Sequence, residues 1–209
     1  MNTIKKYISL SLFAVILISV VLSFSGCGKD TSALNYGTHD KIGIDGYYLQ
    51  ALNSVENEGV VLETNYYVYS DEELTNAVGA MTARFGEDGE LSGYDAVITE
   101  SEGQRVISFS KSKEASGYTD SLYTADYKAI LCTKWETISI KLEEKERLLS
   151  TGILTYHSNG AEKSYSEYQY ITKNGKEYCS CHIDRLYNED GSLASEKITN
   201  YDENGEVKQ

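Results

Sequence analysis

Six side chains in this sequence belong to types that attack, bind or transfer protons: Cys132, Cys179, Cys181, His182 and Asp184, and, at the end of an apolar leader, Cys27. A thiol beside an imidazole suggests a nucleophile with its base. Neighbours along a strand point to opposite faces, however, so an extended segment over residues 178–187 keeps Cys181 and His182 apart. That alternation groups Cys179, Cys181 and Ile183 on one face, and His182 with Tyr178, Ser180 and Asp184 on the other. The first set reads as small buried hydrophobes. A disulfide from Cys132 to either member of the pair is the competing reading, permitted in an exported chain. Two thiols on one strand fall short of the four ligands that structural zinc takes. The second set reads as a solvated polar face; for an enzyme, His182 and Asp184 are the only acid–base pair on offer. No Gly-x-Ser-x-Gly, His-Glu-x-x-His, phosphate loop or calcium loop occurs. The expectation is therefore a chain without catalytic residues, metal or cofactor.

Tyrosine is the other residue that carries recognition chemistry, and there are 18. Tyr67 and Tyr69 alternate onto the polar side of their segment, and Tyr168, Tyr170 and Tyr178 crowd the C-terminal region. A row of exposed tyrosines stacks against sugars or docks a peptide. The same residues also stabilise a sheet by packing across strands.

These residues must be positioned by strands, and the strands are announced by their turns. Four phrases recur near the C-terminus: Tyr156-His-Ser-Asn-Gly160, Ile171-Thr-Lys-Asn-Gly175, Tyr187-Asn-Glu-Asp-Gly191 and Tyr201-Asp-Glu-Asn-Gly205. Asn-Gly and Asp-Gly accept the positive φ of tight hairpin turns. The glycines fall about 15 residues apart, room for one strand of about ten residues and a reversal. Upstream, Gly59, Glu73, Gly89, Gly103 and Gly117 keep the same interval, and Glu143–Glu146 marks another reversal. Between Gly117 and Glu146 the pattern fades. Most intervals alternate apolar and polar residues, as half-buried antiparallel strands do: Val60, Leu62, Thr64, Tyr66 and Val68 oppose Val61, Glu63, Asn65, Tyr67 and Tyr69. Ser70-Asp-Glu-Glu73 also has the form of a helix capping box, and residues 142–149 have good helix propensity. The meander reading makes both of them turns. Proline is absent, so no strand is barred from central pairing on that account.

The repeated Tyr-x-x-Asn/Asp-Gly units resemble the variant MORN-type repeats of bacterial proteins. Tyr156, Asn159 and Gly160 carry the likeness, as do Tyr187, Asp190 and Gly191, and Tyr201, Asn204 and Gly205; Ile171 replaces the tyrosine in the remaining unit. The resemblance implies stacked hairpins that serve as an interaction surface. The first residues show a second resemblance. Lys5 and Lys6 precede an uncharged run rich in Leu, Ile, Val and Phe, which ends in Phe24-Ser25-Gly26-Cys27. Small residues just before a cysteine resemble the bacterial lipoprotein signal. This implies cleavage before Cys27 and lipid on its thiol, with an uncleaved membrane helix as the competing reading.

Three segments follow: a signal over residues 1–26, a tether over 27–42 and one domain over 43–209. The domain is expected to be all-β, an antiparallel up-and-down meander of about ten strands, either an open twisted sheet or a barrel. The net charge of −13 becomes more negative once Lys5 and Lys6 leave with the signal, which excludes nucleic acid as a partner. The expected partners are the membrane, through lipid on Cys27, and a protein or glycan outside it. The leading functional expectation is a non-catalytic interaction module at the cell surface. The alternative is a binder of glycans or small apolar ligands, through a tyrosine-lined face or a barrel interior.

Overall fold

In the computed structural model, His39 and residues 41–208 are described. The signal, Cys27 and most of the tether lie outside the described residues. The rest is strand and turn: β1 (Tyr48–Asn57), β2 (Val60–Tyr69), β3 (Ala77–Phe85), β4 (Leu91–Thr99), β5 (Gln104–Lys111), β6 (Ala115–Tyr123), β7 (Ile130–Lys141), β8 (Glu146–Tyr156), β9 (Glu162–Lys173), β10 (Lys176–Tyr187) and β11 (Leu193–Asn200). They form one sheet of eleven strands in sequence order, each antiparallel to the next. The sheet does not close: β1 and β11 are its edges. That decides between the two architectures the turn spacing allows, and the barrel interior offered as a ligand site has no place in it.

The glycine-ended reversals occur as expected. Gly160, Gly175, Gly191 and Gly205 have φ of 85°, 78°, 80° and 82°. At Asn174–Gly175 both residues are left-handed, the pattern of a two-residue hairpin whose twist matches its strands. The capping-box stretch is a turn as well, in which Asp71 accepts from the backbone N–H groups of Thr75 (2.8 Å) and Asn76 (2.7 Å). Two details differ from the sequence reading. Gly117 is not at a reversal but inside β6, opposite Ser110 and Thr137. The turn comes earlier, where the Ser112 N–H donates to Ala115 O at 2.8 Å. In the stretch where the pattern fades, β6 and β7 are joined by a reversal without glycine. There Thr124 Oγ1 accepts from the N–H groups of Lys128 and Ala129, and Tyr127 takes φ 58°.

The register sets which side chains share a face. The face bearing Val68 carries the main core: Val68, Met81, Ala96, Ile98, Ile107 and Phe109 are each at most 2% exposed. His39, Ile44 and Tyr47 lie against this same face. Ile44 joins the core cluster, and the Tyr47 hydroxyl donates to Glu100 at 2.6 Å. His39, placed in the tether by the sequence, stacks on Tyr118 of β6 with ring centroids 3.6 Å apart. The opposite face, bearing Tyr67, is wetter over β2–β5. Over β7–β10 it holds Trp135, which lies flush over Gly152: a methyl group there would sit 2.4 Å from the indole.

Candidate functional site

The five tyrosines expected to form a ligand face do not form one. Tyr67 and Tyr69 stand on the wet face of β2, and six strands separate them from β9. Tyr168 and Tyr170 stand on the Val68 face of β9. Tyr178 pairs with Ile171, which puts it on the opposite face from Tyr170. The others fall instead into two separate neighbouring pairs, Tyr67 with Tyr69 and Tyr168 with Tyr170, each with centroids 6.4 Å apart.

The cause lies in β10. Cys179 pairs with Tyr170, yet Cys181 pairs with Gln169. One residue, Ser180, is extra at this point, a β-bulge that reverses the alternation beyond it. Cys179 and Cys181 therefore do not share a face, and His182 shares its face with Cys179 and Asp184 rather than with Tyr178. The three thiols are free. Cys132 lies on β7, with β8 and β9 between it and β10, so roughly 14 Å of sheet separates it from either partner, beyond what a disulfide spans. Burial pushes the Cys132 and Cys179 thiols above their ordinary pKa, away from a reactive thiolate.

The bulge also delivers His182 to a second set of residues. Along one transverse row of the Val68 face stand Tyr118, Glu136, Thr151, Tyr168 and His182, each directly opposite the next. The adjacent row reads Asp120, Lys134, Ile153, Ser166 and Asp184. Between the two ends the surface forms a concavity of about 320 Å³, whose lining includes His39, Tyr118, Lys134, Glu136, Thr151 and Tyr168. One wall is the His39–Tyr118 stack. The other is Tyr168 lying parallel to His182, with centroids 3.9 Å apart and an interplanar angle of 6°. Because His182 occupies the β10 side of Tyr168, the other ring face looks toward Thr151 and the concavity. Tyr168 is 40% exposed. Among the described residues, the Lys134, Glu136 and Thr151 side chains have no hydrogen-bond or ion-pair partner.

His182 and Asp184, the acid–base pair read from the sequence, do come together at 3.2 Å, joined by Ser166. The Ser166 hydroxyl donates to Asp184 Oδ1 at 2.8 Å, and His182 Nε2 lies 3.2 Å from the Ser166 oxygen. The same ring nitrogen thus faces both the hydroxyl and the carboxylate. A serine–histidine–carboxylate relay needs the two ring nitrogens divided between those partners, with the hydroxyl proton directed at the imidazole. Here that proton is given to Asp184, and the trio braces the back of the Tyr168 stack.

Sequence reasoning missed Tyr118, Lys134, Glu136 and Thr151 as site residues. Their only local signal is alternation, and three of them, Tyr118, Lys134 and Glu136, lie in the stretch where the turn pattern fades. No protein-family model matches the chain, and neither a curated protein nor a solved structure matches it.

Proposed function

We propose that this chain is a non-catalytic binding module held outside the cytoplasmic membrane by lipid on Cys27, and that it binds through the Val68 face of β6–β10. The observation that carries this reading is the concavity between the two aromatic stacks. Its aromatic walls are braced from behind, and its polar floor has hydrogen-bonding capacity to spare. Small-ligand sites combine apolar or aromatic lining with a few convergent polar groups in just this way. The lipoprotein-like leader supports the address. A protein partner at the open β11 edge is the second reading, favoured by the exposed Leu186, Leu193 and Ile198.

The test uses the protein purified from membranes, exposed separately to the polysaccharide and protein fractions of the cell envelope. Wild type is expected to retain material from one fraction, and Tyr168→Ala and Lys134→Ala are expected to lose it. Equal retention by wild type and both variants would reject the face. Release of a Cys27→Ala variant from the membrane fraction is expected alongside; continued retention would reject the lipid anchor.

A further inference from the structure

Resting on that reading, we infer that the occupant of the concavity is a neutral pyranose sugar, one or two rings in length, seated against the free face of Tyr168. The geometry of that ring comes first. Its far side is closed by His182, so it is held upright and rigid, and its near side is open. A flat, braced aromatic face is what the C–H face of a pyranose packs against, and the ring loses little freedom on binding because it is already fixed. Around it stand Lys134, a donor, Glu136, an acceptor, and Thr151, which is both, all without partners among the described residues. Sugar hydroxyls donate and accept at once, so they match this mixed set. The volume, about 320 Å³, lies at the small end for ligand sites and suits one or two rings rather than a long chain.

The competing occupants fit less well. A lipid or other apolar ligand would bury Lys134, Glu136 and Thr151 unpaired, at a cost in desolvation. A polyanion meets a chain of net charge −13 and the carboxylates of Glu136 and Asp184 in the same two rows. An extended peptide binds sheets by adding to a free edge. The concavity lies over β6–β9, interior strands whose backbone groups are already paired on both sides.

The experiment titrates the membrane-purified protein with cellobiose, maltose and N,N′-diacetylchitobiose, read by calorimetry. At least one disaccharide is expected to bind, with Tyr168→Ala weakening it by about tenfold, the scale of one lost stacking contact. Tyr67→Ala, on the other face, is expected to leave binding unchanged. Thermal melts of both variants show whether each retains its fold, and Lys134→Ala supplies a second site variant. No binding by any of the three sugars, or binding that neither Tyr168→Ala nor Lys134→Ala weakens, overturns the inference. If the envelope protein fraction is retained through this face while all three sugars fail, the binding face stands and the saccharide falls.

Discussion

At the scale of single residues, the most informative side chain outside the concavity is Glu167, on the Trp135 face of β9. It is 9% exposed. Burial alone would raise its pKa, but hydrogen bonds from the Ser150 and Tyr165 hydroxyls, the latter at 2.6 Å, hold it below its ordinary 4.5. The Ser150 hydroxyl also lies 3.4 Å from the Trp135 indole nitrogen, and Arg185 stands over the Tyr165 ring. One carboxylate thus ties together strands β8 to β10 beneath the walls of the concavity. A carboxyl depressed by folding contributes stability that is present above its unfolded pKa, near 4.5, and is lost as pH falls through the folded value. Glu167→Gln is therefore expected to lower Tm at neutral pH, with the gap to wild type closing as pH falls below 4.5 and through the carboxyl's lowered folded value. Melting curves for both proteins across that range check it, and a gap independent of pH would show that the carboxylate's charge is not what stabilises this site.

At the scale of elements, the Ser180 bulge governs the site. Without it, Cys181 would stand opposite Tyr168, and His182 would face away from the concavity. With it, Cys181 stands opposite Gln169 and His182 stacks on Tyr168. Directly opposed residues in antiparallel strands have Cα atoms about 4.5–5.5 Å apart, inside the range a disulfide bridges. Gln169→Cys is thus expected to crosslink to Cys181 under mild oxidation, whereas Tyr168→Cys is not. Peptide mapping with a count of remaining free thiols distinguishes the two. Crosslinking by Tyr168→Cys alone would mean that β10 runs without its bulge.

At the scale of the whole described domain, each strand pairs only with its sequence neighbours, so stability is built from neighbour to neighbour rather than from one central core. The burial is uneven. Strands β2–β5 carry residues closed from solvent on the Val68 face, while β1 and β11 are each exposed along almost their whole length. Local opening follows burial and backbone pairing. Amide hydrogen exchange is expected to be slowest in β3–β5 and fastest in β11 and β1, with β8–β9 between them. Uniform protection across all strands would contradict a neighbour-built sheet. The same unevenness accounts for the place of the concavity: it opens where the closed apolar surface of β2–β5 gives way to the polar rows of β6–β10.

The sequence by itself determined that this domain is an antiparallel meander, because the turns are local chemistry. Asn-Gly and Asp-Gly reverse the chain wherever they stand, and the alternation between them marks strands. It missed the Thr124–Ala129 reversal, which is held by Thr and Asp side chains with Tyr127 in the left-handed region, and it put a turn at Gly117, where a strand passes. It grouped Cys179 with Cys181 and His182 with Tyr178, because period-two counting has no means of seeing an inserted residue. Only the tertiary structure decided that the sheet stays open, that Ser180 bulges, and that Tyr118, Glu136, Thr151, Tyr168 and His182 fall in one row. Those outcomes depend on register between strands and on the twist accumulated over eleven of them. Register is a relation between distant segments, and no single segment carries it.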